Sequence, residues 1–347
     1  MQPGIRGLLL LCFLSLKVKQ ISKYKIIKNI KMGGQRMDKL RSFFSFFLFL
    51  LLIFLLPVTI VSECNQNGEG CEEQAAKGLK VFIVSDHGIG SVVSDLQAVP
   101  GRAQYQVYRH LMTEEVNACI RGAMAAGATE IMVADSHAHM QNIIVEELNA
   151  VAKLVRGGPR PLCMMEGIDK SFDAVIIIGG HARTGTRYAV REHSFGHDYL
   201  NIWVNDILVN EFIFNSMIAG YFDVPVVLAT GDEAFTRQMK EYLPNIETVA
   251  VMKGVGQGAI TIHPSKSRAL IEKKTTEALK RLSSFKPAKL APPYTLKIEF
   301  AHVHLAELVS WIPGVRLEDD RTISFTTEDF LQIPHLLEVI MNLSYSK

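Results

Sequence analysis

KVFIVS, residues 80–85, is a run of aliphatic and aromatic side chains with a polar residue only at each end. Its length and β-branched content read as a strand buried on both faces. EIMVAD (130–135), AVIIIGG (174–180), YLNIWVN (199–205) and VPVVLAT (224–230) repeat the pattern. Helical stretches lie between and after them. LMTEEVNACIRGAMAAGA (111–128) has Thr113 as a candidate cap and Gly127 near its end; DEAFTRQMKEYL (232–243) and PSKSRALIEKKTTEALKRLSS (264–284) follow. The last is amphipathic, and solvation explains its basic face. Short apolar strands separated by helices imply an α/β fold, with a mainly parallel sheet covered by helices.

Downstream, the composition breaks at KPAKLAPPY (286–294). A strand (TLKIEFA), a helix (AELVSWI), a strand (TISFTT) and a final helix from about Glu328 then predict a smaller C-terminal α+β lobe over 286–347. The α/β domain occupies 79–285 and a polar linker 64–78. Upstream, 43–61 is uncharged and almost wholly apolar, preceded by Lys39 and Arg41. Residues 37–63 therefore read as a signal peptide or, since nineteen apolar residues just span a bilayer, as a membrane anchor. Either reading makes the protein exported, whether secreted, periplasmic or held in the cell envelope. Residues 1–36 form a basic N-terminal extension that reads as a misassigned start.

Charge follows the same division. Residues 1–41 carry ten Lys/Arg against Asp38 alone, a charge of +9, while the whole chain of 347 residues totals +2. The remainder is mildly acidic, at −7, which argues against nucleic acid as a partner. The five cysteines are not spaced as zinc ligands. Cys64 and Cys71 flank a polar loop and suit pairing in an oxidising compartment. Cys119 and Cys163 read as small buried hydrophobes.

All eleven histidines lie downstream of residue 78, and several follow strands directly. Ligands of open α/β sheets bind beyond the carboxyl ends of the strands. Asp86 and His87 follow the first strand; Asp135, His137 and His139 the second; His181 follows AVIIIGG. His193 and His197 occupy the next loop, and Glu211 opens a helix. His, Asp and Glu suit a borderline divalent ion such as zinc. No single spacing here is diagnostic. One histidine after a strand is ordinarily a hydrogen-bonded structural residue; three strand ends in one sheet shift the balance toward a site. Taken singly, Asp135 is a loop residue bonding local backbone, and Glu211 is a carboxylate suited to a helix start.

The blocks LMTEEVNACI (111–120), ADSHAHMQN (134–142), MMEGID (164–169), GGHARTGT (179–186), EHSFG (192–196), NEFIFNSMIAGYFDVPVVLATGDE (210–233) and KIEFA (297–301) together resemble the metallo-D-aminopeptidase family, over roughly residues 80–343. The resemblance implies an α/β domain with a smaller C-terminal part, a ring-like homodecamer, and release of N-terminal D-residues from short peptides by two zinc ions. It also implies zinc ligation by His137, His181 and Glu211, with His193 acting on the substrate. The family's first motif, roughly Asp-X-Glu-Gly, departs here to Ser85-Asp86-His87-Gly88. Aligned from the strand, Asp86 takes the aspartate position and one residue is deleted. Aligned from Gly88-Ile89, Ser85 takes that position and His87 replaces the glutamate. The strand alignment is preferred, because burial fixes strand register. One or two zinc ions are therefore expected, with Asp86 as a ligand and His87 as a substitute nitrogen ligand. Other readings of the scaffold are an L-aminopeptidase or amidase, and an exported peptide-binding protein with a degenerate metal site.

Overall fold

The computed structural model describes residues 78–256 and 258–345. Along the chain run β1 (Leu79–Ser85), a one-turn helix (Asp95–Ala98), α1 (Tyr105–Ala125), β2 (Ala128–Asp135), β3 (Ala152–Val155), β4 (Ala174–Gly180), β5 (Tyr199–Val204) and β6 (Ile207–Leu208). Then come α2 (Glu211–Tyr221), β7 (Val226–Asp232), α3 (Glu233–Tyr242), β8 (Glu247–Val255), β9 (Gly258–Thr261), α4 (Pro264–Lys280), β10 (Tyr294–Phe300), α5 (Val303–Ser310), β11 (Arg316–Leu317), β12 (Thr322–Thr327) and α6 (Gln332–Tyr345). Short 3-10 turns join some of them. The predicted termini, linker and apolar segment (1–36, 37–63 and 64–77) lie outside the described residues, as do Cys12, Cys64 and Cys71. Among the described residues no helix is long and apolar enough to cross a membrane.

The first sheet has the order β3-β2-β1-β4-β7-β8-β9 and is parallel except for the β8–β9 hairpin. Side-chain alternation in β1 shows why both faces must be covered. Val81 and Ile83 enter a core with Met112, Val116 and Ile120 of α1 and Ile271 of α4. Phe82 and Val84 enter the opposite core with Phe212 and Ile218 of α2. After β3 the chain returns to the far side of β1 to lay down β4. Strand order thus reverses at β1, and the carboxyl ends of β1, β2 and β4 open onto one crevice.

A second, antiparallel sheet has the order β11-β12-β10-β5-β6. This differs from the sequence reading in two ways. YLNIWV joins the antiparallel sheet and not the parallel one. The smaller antiparallel sheet that holds the C-terminal strands also takes in β5 and β6 from upstream of the break at 286, with β10 pairing directly with β5. The cause is shared burial. Leu296, Ile298 and Phe300 sit in one core with Ile202 and Val204 of β5 and Phe212 of α2. An isolated 286–347 segment would leave that face in water.

Candidate metal centre

The chain leaves β1 at Asp86, whose amide still donates to the Ile178 carbonyl at 2.9 Å. Two residues on, Gly88 donates to the Gly179 carbonyl. Between these two anchors both Asp86 and His87 turn inward. Each is buried, at 3% and 1% exposure. Asp86 and His87 of the altered motif thus lie side by side at the end of β1.

The second strand end brings His137. Asp135 does not join it in the cluster. Its carboxylate accepts from the amides of Asn142 and Ile143 and from the Asn142 side chain, which shapes the 136–143 loop. His137 Nε2 donates to the Ala98 carbonyl at 3.1 Å, so its Nδ1 carries the lone pair and lies 3.3 Å from Asp86 Oδ1. Tyr108 meets the His137 ring edge to face. His139 is exposed on the loop.

The third strand end brings His181, fully buried, with Nδ1 donating to the Ala182 carbonyl. Its Nε2 lies 3.9 Å from Asp86 Oδ2 and 3.4 Å from Glu211 Oε1, and makes no hydrogen bond. Glu211 is placed by Asn210, whose side chain caps α2 by accepting from the Phe212 and Ile213 amides and donates to the His181 carbonyl. The Glu211 carboxylate also accepts from the Phe195 amide.

His193 reaches the cluster from the loop after β4. Nδ1 donates to the Arg191 carbonyl, Nε2 lies 3.7 Å from Glu211 Oε1, and the ring stacks on His181 with centroids 4.0 Å apart. Its side chain is 18% exposed, the most accessible of the four rings. His197 is exposed, 5.5 Å from the His193 ring.

His87 lies among the other three rings, stacked on His181 and His193 and edge-on to His137. Neither of its ring nitrogens has a hydrogen-bond partner. Donor atoms of His87, His181 and His193 lie within 4.8 Å of one another, as do those of Asp86, His87 and His137. His181 Nε2 and Glu211 Oε2 are likewise buried without a partner. Buried polar groups are ordinarily satisfied, and each one left bare costs roughly 1–3 kcal/mol. Four such atoms converging, all of types that ligate zinc, fit a metal centre and not a self-contained hydrogen-bond network.

The charges fit the same conclusion. Burial alone drives carboxyls up, yet Asp86 and Glu211 are both held below their ordinary values by the surrounding histidines. Burial opposes the charge on His181, but Glu211 and Asp86 outweigh it and carry its pKa to about 9. Burial, and then the Arg191 charge, keeps His87 well below the ordinary histidine value. Burial and the His181 charge push His193 down to about 4. Sequence reasoning missed the main-chain carbonyls of Ala98, Ala182 and Arg191 that orient three of the rings, because a carbonyl carries no residue-type signal. It also missed the charge that Arg191 brings toward His87.

Three similarities bear on the site. A family model described as D-aminopeptidase, Peptidase M55, matches residues 79–339. A curated relative named D-aminopeptidase, from Bacillus subtilis (strain 168), is 34% identical over 271 residues, which cover 77% of this chain and 98% of the relative. The solved structure of the Zn-dependent D-aminopeptidase DppA from Bacillus subtilis, described as a self-compartmentalizing protease, superposes with a TM-score of 0.75. It shares 33% identity, with coverage of 78% of this chain and 99% of that one.

Proposed function

The chain belongs to the Peptidase M55 family of D-aminopeptidases, and from that premise we propose that it is a zinc-dependent aminopeptidase releasing N-terminal D-residues from short peptides. The observation that carries the reading is the convergence of Asp86, His87, His137, His181 and Glu211, in which buried nitrogens of His87 and His181 and a buried oxygen of Glu211 have no protein hydrogen-bond partner. These five residues would hold zinc, with His87 supplying nitrogen beside the Asp86 carboxylate. Zinc, when bound, supplies Lewis acidity toward the scissile carbonyl.

The remaining work falls to the chain. His193 is the proposed proton-transfer or nucleophilic residue. The Arg191 carbonyl fixes its tautomer, so the Nε2 lone pair faces the cluster, and its partial exposure leaves it open to substrate. Its depressed pKa keeps it neutral at pH 7, the form that accepts a proton. The Phe195 amide holds the Glu211 carboxylate, and Asn210 caps the helix that Glu211 opens.

Following the self-compartmentalizing relative, we read this chain as a homo-oligomer. The apolar run at 43–61 supports export, through a signal peptide or an anchor. The function is tested on the purified full chain by metal analysis together with hydrolysis of D-Ala-D-Ala and L-Ala-L-Ala. Bound zinc with preferential D-peptide cleavage is expected. Zinc with preferential L-peptide cleavage would favour the L-aminopeptidase, and peptide binding without turnover would favour a binding protein.

A further inference from the structure

Asn142 closes the ADSHAHMQN block and is 1% exposed. Both hydrogens of its side-chain amide are used. Nδ2 donates to the His137 carbonyl at 2.7 Å and to Asp135 Oδ1 at 2.8 Å, while Oδ1 accepts from the Tyr105 hydroxyl at 3.0 Å. Its main chain is held as well. The amide donates to Asp135 Oδ2, and the carbonyl accepts from Arg109 Nε. One residue thus ties the end of β2 and the first turns of α1 to the peptide that follows His137. That stretch of chain is strained. Ala138 and Met140 both adopt the left-handed region, at φ 49° and 56°, which is unfavourable for any residue with a Cβ. Such a conformation persists only where its surroundings over-determine it.

We propose that Asn142 is a positioning residue, which sets His137 for zinc before the metal arrives. The His137 ring is held at its far end, where Nε2 donates to the Ala98 carbonyl. Its near end is held through its own carbonyl, which accepts from both the Asn142 side chain and the Met140 amide. With both ends fixed, Nδ1 faces Asp86 Oδ1 at 3.3 Å. Removing the Asn142 side chain frees the His137 carbonyl from α1 and Asp135 and lets the strained turn relax. Zinc would then have to order the loop as it binds, and part of its binding energy would go into that ordering. The inference rests on the zinc reading above and adds to it a residue outside the donor set.

The test is the zinc affinity of the full chain, measured by competition with a chelator, beside its melting temperature. Asn142→Ala is expected to bind zinc about 10–100-fold more weakly. Asn117→Ala is the control. Asn117 is also buried and ties α1 to the 147–149 loop through the Glu147 carbonyl and the Asn149 amide, bonds that reach no proposed ligand. That variant is expected to melt lower yet keep wild-type zinc affinity. Wild-type affinity in Asn142→Ala, or an equal loss in Asn117→Ala, would overturn the positioning role and leave the zinc reading standing. Wild type that binds no zinc at saturation would overturn both. Should Asn142→Ala fail to fold, hydrogen exchange in wild type decides. The Asn142 and Ile143 amides, which donate to Asp135, are expected to be protected with and without zinc. Protection only with zinc would show that the metal, and not Asn142, sets the loop.

Discussion

The amide nitrogen of Gly88 lies 2.6 Å from the carbonyl oxygen of Gly179. This bond stitches the turn after β1 to the end of β4, and so holds His87 beside His181. Neither position has room for a side chain. A Cβ on Gly88 would sit 2.2 Å from the Gly180 carbonyl oxygen, and one on Gly179 would sit 2.3 Å from that of Asp86. Gly179 also has a positive φ of 75°. Gly88→Ala and Gly179→Ala are each expected to destabilise the fold by about 1–3 kcal/mol or more and to lower zinc occupancy. Calorimetry and metal analysis check this. Unchanged melting with full zinc would show that the stitch is not needed.

Removing a ligand should differ from removing the acting residue. His137→Ala and His181→Ala are expected to lose zinc and turnover together, because affinity and Lewis acidity share those bonds. Normal zinc content in both variants would exclude them as ligands.

His193→Ala, in contrast, is expected to keep its zinc and its melting temperature. Its kcat and kcat/KM should fall together, on the order of 10²–10⁴ for acid–base work. Loss of metal in this variant would make His193 a ligand; full activity would move the proton-transfer role elsewhere.

Glu115 offers a pH test away from the centre. It is buried on α1, where its carboxylate accepts from the Gly90 amide and the Ser267 hydroxyl. Burial raises its pKa from 4.5 to about 7. Below pH 4.5 folded and unfolded chains both hold the proton. Between 4.5 and about 7 only the unfolded chain has lost it, so this group's contribution to stability falls as pH rises, then stays low above 7. Glu115→Gln should therefore gain stability over wild type by up to about 3 kcal/mol at pH 8, with little gain at pH 4. Urea unfolding at the two pH values measures the difference; an equal gain at both would refute the titration.

Export is tested at the amino terminus. Sequencing of the protein recovered from cells is expected to find a start between about residues 62 and 74. A cytoplasmic protein still carrying residues 43–61 would end the proposal.

Legibility in the sequence followed burial. β4 and β12 were readable to the residue, because apolar or β-branched runs end at sharp polar or glycine boundaries. β3 is four residues long and β9 is another four, too short for any pattern to rise above its surroundings. β8 confines its apolar run to Val249–Met252, between Glu247 and Thr248 on one side and Lys253 and Gly254 on the other. α1 begins at Tyr105, six residues before the predicted start, because Gln104 provides no side-chain cap to read. Thr113, the expected cap, lies mid-helix and bonds back to the Arg109 carbonyl. Six candidate site residues were visible as residue types after strands. That Asp86 and His87 both turn inward depends on the backbone path between Ile178 and Gly179, which no local spacing encodes.

His137, His181 and His193 are aimed by main-chain oxygens of Ala98, Ala182 and Arg191. A carbonyl keeps its basicity whatever side chain stands beside it. Substitutions at residues 98 and 182 thus act on the rings only by moving the chain, and cannot retune them electronically as exchanging a carboxylate partner would; only residue 191 also brings a charge, toward His87. A laboratory search for variants with altered metal preference would find little purchase in the carbonyls that aim the rings. The productive changes would fall on the donors themselves, or on insertions and deletions that shift the loops.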